Sequence, residues 1–258
     1  MKRFLIALQF LTIFPIKISA KGGFASGEKS GIKEKDFGAS LLYFPLIGLL
    51  IGLLLSLECF LLSFLPFLPA LLKGALILLI SIVITGGIHL DGFADTCDGF
   101  YGNRPKEKIL EIMRDSHIGS MGAIGVFCLL LLKFSLIVSL PEGFLWKALI
   151  MMSVFSRWSQ VVACFSACYA RQEGKAKYFI EYAGKKELYL GALFTLVSFC
   201  LLSGLRGVIL FFSSLLPAFL FLQYIKKRIG AMTGDTIGAL SEVAEVTVLL
   251  LALFIWNH

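Results

Sequence analysis

Asp91, Asp95 and Asp98 lie in the stretch ITGGIHLDGFADTCDG, residues 84–99, where an apolar run gives way to polar residues. At spacings i, i+4 and i+7, a helix gathers all three carboxylates within an arc of about 60°. Like charges so placed repel, so the pattern predicts a cation between them. Oxygen donors at a membrane boundary select a hard ion, Mg²⁺, and phosphate is its expected companion.

A second acidic group opens the last apolar run, TGDTIGALSEVAE, residues 233–245. On a helix Asp235 and Glu242 are nearly eclipsed, and Glu245 is about 60° further round. Glutamates inside an apolar span are costly and count as functional candidates. The small residues Gly234, Gly238, Ala239 and Ser241 in the same stretch also suit close helix packing. Arg157 falls in mid-span, where an arginine costs at least about 2.5 kcal/mol unless it meets a partner or water. The favoured expectation is anion binding, with a structural ion pair as the alternative. Lys133 is also intramembrane, and its long stem permits snorkelling.

Further ionisable groups crowd between these clusters. His89 precedes the aspartates, and Arg104, Glu111, Arg114, Asp115 and His117 follow them. Arg171 sits in a charged stretch, residues 169–175, for which a solvated loop and a substrate contact are both open readings. Together these are the parts for metal-assisted transfer at a diphosphate: Mg²⁺ neutralises phosphate oxygens while arginine forks clamp the others. GxxxxGK[ST], GxGxxG, GxSxG and HExxH are all absent from the sequence, so soluble nucleotide-binding, serine-hydrolase and zincin readings lack their signatures.

The elements that must position these groups are transmembrane helices. The chain has 258 residues, of which 58% are hydrophobic and 16% charged, with a mean hydropathy of +0.87; soluble domains carry about 25% charged residues. The expected fold is all-α: one polytopic helical bundle over 1–258, with about seven spans near 38–57, 69–88, 119–140, 146–169, 188–203, 207–225 and 237–256. A short N-terminal interfacial or re-entrant helix precedes them. Pro15 and Lys17 argue against a signal peptide ending at Ile18-Ser19-Ala20, and residues 20–36 read as a polar loop.

With these spans, loops 1–37, 89–118, 170–187 and 226–236 fall on one side and hold 19 of the 24 Lys and Arg residues; the opposite connections hold only Arg206. The asymmetry orients the charged loops to the cytoplasm and accounts for the net charge of +7 without nucleic acid, since no basic stripe is interleaved with aromatics. The six cysteines form no CxxC pair and are expected to be reduced thiols.

The segments FLTIFP (10–15), FPLIG (44–48), TGGIHLDGFADTCDG (85–99), ILEIMRDS (109–116), Ser156-Arg157 and TGDTIG (233–238) resemble the cobalamin synthase family, the membrane adenosylcobinamide-GDP ribazoletransferases. Ile88 and Phe93 are apolar departures that touch no charged position. The resemblance implies that α-ribazole, or its 5′-phosphate, joins the cobinamide-side phosphate of adenosylcobinamide-GDP. GMP is released, Mg²⁺ is required, and the site faces the cytoplasm at the inner membrane. It leaves homo-oligomerisation and association with other cobalamin-assembly enzymes open. Mapped onto this chain, Asp91, Asp95 and Asp98 become Mg²⁺ ligands, helped by Asp235, Glu242 and Glu245. Arg114, Arg157, Arg104, Arg171 and Thr236 become contacts to substrate, and His89 becomes the base for the attacking hydroxyl, with Asp115 or Glu245 as substitutes.

Two other classes stay in view. Membrane CDP-alcohol phosphotransferases and prenyltransferases also use aspartate-rich helices; residues 91–95 begin the former's DG-x₂-AR element, but Asp95 breaks it and its arginine is absent. A cation-coupled transporter is the non-enzymatic alternative, and it predicts paired interrupted helices in two halves.

Overall fold

The computed structural model describes residues 1–15, 33–171, 173–174 and 176–256. The suggested cleavage site at 18–20 and most of the expected 20–36 loop lie outside them. The helices are α1 (Lys2–Leu11), α2 (Glu34–Ser40), α3 (Phe44–Ser63), α4 (Ala70–Thr85), α5 (Ile88–Phe100), α6 (Lys106–Ile112), α7 (Ser120–Ser139), α8 (Glu142–Ser166), α9 (Lys177–Glu181), α10 (Lys185–Ile229) and α11 (Gly234–Trp256). A 3₁₀ turn, Leu41–Tyr43, links α2 to α3. Five helical segments are long and apolar enough to cross a membrane, or six when α4 and α5 count as one broken span. The chain is a multi-pass membrane protein.

Helix α8 is the axis of the bundle, with 89% of its most apolar window buried by protein, against 28% for α7 and α10. That enclosure is why α8 can carry Ser153, Ser156, Arg157, Ser159 and Gln160, all buried. Helix α3 lies against α8 through Gly48 and Gly52. An added Cβ would sit 2.5 Å from the Ser153 carbonyl oxygen at the first and 2.6 Å from Ile150 Cα at the second, the close approach that small residues permit between membrane helices.

Two glycine-dependent breaks shape the rest. Gly86 and Gly87 adopt φ of 64° and 68°, which side-chain-bearing residues rarely visit, and they turn α5 by 91° from α4. The expected span 69–88 therefore ends at Thr85. Much of the expected 89–118 loop is the helix α5, packed along α7 and α11. Gly204 (φ 56°, ψ −135°) interrupts α10, where spans 188–203 and 207–225 were expected. The chain folds back there: the Phe199 and Phe211 rings are 5.8 Å apart, although twelve helical residues span about 18 Å.

Helix α1 is part of the bundle, with Ile6, Ala7 and Leu11 buried. The chain just after it covers the open end of α4, where the Ile13 N–H donates to the Ile84 carbonyl at 2.9 Å. All six cysteines are free thiols.

Candidate functional site

The polar ends of α5, α6, α8, α10 and α11 meet at one end of the bundle. Arg228 donates to the Phe100 and Gly102 carbonyls at 2.9 and 2.7 Å. An isolated parallel bridge, Tyr169 to Met232, ties the segment after α8 to the entry of α11. Thr233 and Thr236 cap that entry reciprocally: the Thr233 N–H donates to Thr236 Oγ1 at 2.9 Å, and the Thr236 N–H to Thr233 Oγ1 at 3.1 Å, in the manner of a capping box. Thr236, expected to touch substrate, is fully buried and serves the cap instead.

The bridge brings Arg171 to Asp235, whose Oδ2 accepts from Nη2 at 2.6 Å; the same nitrogen donates to the Met113 carbonyl at 3.1 Å. Gly92 lets α5 reach this point, since a Cβ there would lie 2.7 Å from Asp235 Cα. One turn earlier, Gly238 faces the His89 backbone. Asp95 consequently lies in the field of Asp235, Asp91 and Asp98, with the Arg171 guanidinium acting against them.

The helical spacing read from the sequence is thus correct, but the three aspartates of α5 have different surroundings. Asp91 is exposed and Asp95 half-buried. Asp98 accepts the backbone N–H groups of Gly119 and Gly122, both at 2.8 Å, and so caps α7; a Cβ at Gly119 would strike its carboxylate. Among the described residues no three His, Cys, Asp or Glu side chains converge closely enough to hold an ion.

Glu242 and Glu245 are elsewhere. Lys133 donates to both, at 2.5 and 2.6 Å, and Arg157 Nη1 donates to Glu245 at 3.1 Å and to Ser156 and Ser241 at 2.9 Å. Two acids and two bases balance in a buried network joining α7, α8 and α11. The free space beside them is about 10 Å³, room for about one water and none for a phosphate. The expected pairing of Glu242 with Asp235 does not occur, because two helical turns part them and each has its own cation. Arg157 takes the structural ion pair weighed against anion binding, because burial in α8 leaves it no other anion. Lys133 does not snorkel.

Arg104, Arg114 and Asp115 are exposed. Arg104 donates to the Asp98 carbonyl at 3.1 Å, and Asp115 accepts from the His117 backbone and contacts its ring at 3.0 and 2.7 Å. Those two hydrogen bonds hold the Asp115 carboxyl below its usual range.

A cavity of about 240 Å³ opens beside the Arg171–Asp235 pair, lined also by His89, Asp91, Gln160 and the rings of Phe10, Phe44 and Phe179. His89 is 5% exposed, and its Nε2 lies 2.8 Å from Gln160 Nε2. His89 Nδ1, Gln160 Oε1 and Arg171 Nε are buried without a hydrogen-bond partner among the described residues. Buried polar atoms are nearly always paired, so three orphans around one cavity point to a polar ligand. Gln160 and the phenylalanines were missed from sequence. The first left a signal, a glutamine one turn from Arg157 in an apolar run.

Fold and site together define a polytopic membrane protein with an acid-rich cavity at one end of its bundle. The cobalamin-5-phosphate synthase family profile matches residues 3–253, so the chain belongs to that family. It is 35% identical over 252 residues to the adenosylcobinamide-GDP ribazoletransferase of Acetivibrio thermocellus, covering 97% of each chain. The protein of that name from Alkaliphilus metalliredigens is 37% identical over 257 residues, covering 99% of this chain and 96% of its own. No solved structure matches the chain.

Proposed function

We propose that the chain is an adenosylcobinamide-GDP ribazoletransferase, joining α-ribazole or its 5′-phosphate to adenosylcobinamide-GDP with release of GMP. Family membership over nearly the whole length supports the reaction. The observation that carries the site is a cavity lined together by His89, whose Nδ1 is unpartnered among the described residues, and by Arg171, Asp91 and Asp235. The ribazole hydroxyl oxygen bonds to the cobinamide-side phosphorus, the diphosphate bridge breaks, and GMP leaves with the bridging oxygen. Turned so that its Oε1 accepts from His89 Nε2–H, the Gln160 amide would leave the Nδ1 lone pair free to take the hydroxyl proton.

The surplus of carboxylates over cations around Asp95 suits a hard divalent ion. Because the described side chains do not converge on an ion by themselves, Asp91, Asp95 and Asp235 are proposed to hold Mg²⁺ jointly with the phosphate oxygens of the donor, with Asp98 oriented by its hydrogen bonds to α7. When bound, the ion would neutralise diphosphate oxygens. Arg171 is proposed to bind the diphosphate from the opposite side, with Arg104 and Arg114 at the exposed rim.

The loop-charge asymmetry supports seven crossings, with this end of the bundle on the cytoplasmic face of the inner membrane. GMP release from adenosylcobinamide-GDP by the protein in nanodiscs, with CMP release from a CDP-alcohol as the contrast, tests the assignment. Release of CMP alone would overturn it.

A further inference from the structure

The cavity has two chemically distinct walls. One carries His89, Asp91, Arg171 and Asp235; the other carries Phe10 of α1, Phe44 of α3 and Phe179 of α9. The three rings form a cluster, with centroids 4.5 Å apart for Phe10–Phe179, 5.6 Å for Phe44–Phe179 and 6.0 Å for Phe10–Phe44. Phe44 and Phe179 are each 1% exposed, so they buttress Phe10, which is only partly buried, and leave its ring as the face offered to the cavity. The volume of about 240 Å³ is below the roughly 300 Å³ at which drug-sized pockets begin. It suits a nucleoside and excludes a corrinoid macrocycle.

We infer that this cavity is the acceptor subsite: the flat benzimidazole base of the ribazole nucleoside lies against Phe10, which Phe44 and Phe179 back from behind, and its sugar hydroxyl is directed to His89. The assignment rests on the transferase reading and adds which substrate enters the bundle. Guanine shares the flat aromatic shape, but its edge carries several donors and acceptors that would lose water against phenylalanine without gaining partners. The benzimidazole edge is largely apolar and loses little there. The cobinamide and guanosine parts of the donor then remain outside, and only the diphosphate reaches Arg171.

The test uses full-length protein in lipid nanodiscs, titrated with α-ribazole alone and then assayed with each substrate varied in turn. Wild type should bind α-ribazole without the donor, and GMP should not compete. Phe10→Leu removes the stacking face while keeping an apolar side chain, and Phe44→Leu removes the ring stacked behind it. Each should raise the KM for α-ribazole about tenfold and leave both kcat and the KM for adenosylcobinamide-GDP nearly unchanged. A Phe10→Trp variant, which keeps an aromatic face, should retain more affinity than Phe10→Leu. If the KM for adenosylcobinamide-GDP rises instead, the cavity holds guanine and the inference falls. It also falls if neither KM moves in variants that melt like wild type. Failure of the wild type to release GMP while it still binds α-ribazole would count against the transfer reaction and leave the subsite standing.

Discussion

At its first turn α11 presents Asp235 to Arg171, within the field of three carboxylates on α5. Two turns on, the same helix presents Glu242 and Glu245 to Lys133 and Arg157. The side chains of Asp235 and Arg171 are 22% and 15% exposed and adjoin a cavity, whereas those of Lys133, Glu242, Glu245 and Arg157 are all below 10%. Acids outnumber bases in the first region and balance them in the second. Residue type does not separate the two, because both put carboxylates where an apolar helix would not be expected to carry them. Surplus charge and access do. The open region is the one proposed to take a cation and a phosphate; the closed one has its charges balanced, with Arg157 Nε left without a hydrogen-bond partner among the described residues, and pins α7, α8 and α11 together.

The largest effect should come from opening the closed region. Lys133→Met leaves two buried glutamates facing one arginine, and removal of one partner from a buried ionic group costs about 3–5 kcal/mol. Thermal unfolding in nanodiscs should show a clear loss, partly recovered in Lys133→Met combined with Glu242→Leu. An unchanged melting point in the single variant would break the contrast between the regions.

The open region should behave in the opposite way. Asp95→Asn or Asp235→Asn relieves like-charge crowding, so the fold should hold while GMP release falls by roughly 100-fold, most severely at limiting Mg²⁺. Chelation with EDTA should stop turnover without melting the bundle. Variants that lose stability and keep their rate would exchange the roles assigned to the two regions.

The junction between α5 and α11 gives a finer test. A methyl at position 92 would lie 2.7 Å from backbone atoms of Asp235, so Gly92→Ala must push α5 away from α11. Overpacking of this kind costs about 1–3 kcal/mol, and activity should fall more than stability. Gly238→Ala, where the nearest His89 atom is 3.2 Å away, should be milder in both.

These regions also show what the sequence could convey. Spacing alone located the carboxylates of α5 on one helical face, and hydropathy located the long apolar helices. Hydropathy also placed a connection between spans 188–203 and 207–225, and Gly204 makes that break; Gly86-Gly87 instead read as ordinary small residues inside the span 69–88, yet their left-handed φ values bend the α4–α5 pair. Periodicity carries no information on such turns. Pairing across helices was equally hidden: Lys133 and Glu242 are 109 residues apart, and nothing local says that Glu242 meets a lysine while Asp235 meets an arginine brought in by a bridge at Met232. Calling every intramembrane acid a metal ligand therefore merged two regions that packing keeps apart.

The smallest expected effect concerns Asp115, read from sequence as a substitute base. Its side chain is 59% exposed, and its partner His117 is 90% exposed. The backbone N–H of His117, and then its ring, hold the Asp115 carboxyl below the usual range. Because the folded pKa is lowered, any stabilisation from this contact is present above the unfolded value of about 3.9 and is lost only as pH falls through the lowered folded value. At neutral pH the group is a solvated carboxylate with no proton affinity to spare, and solvent screening weakens such a pair further. Asp115→Asn should therefore keep the rate within about twofold and leave the pH profile between about 5 and 8 unmoved, whereas His89→Gln should lower the rate by roughly 100-fold or more. A large loss in Asp115→Asn with a normal rate in His89→Gln would move the proton acceptor out of the cavity to the exposed turn after α6.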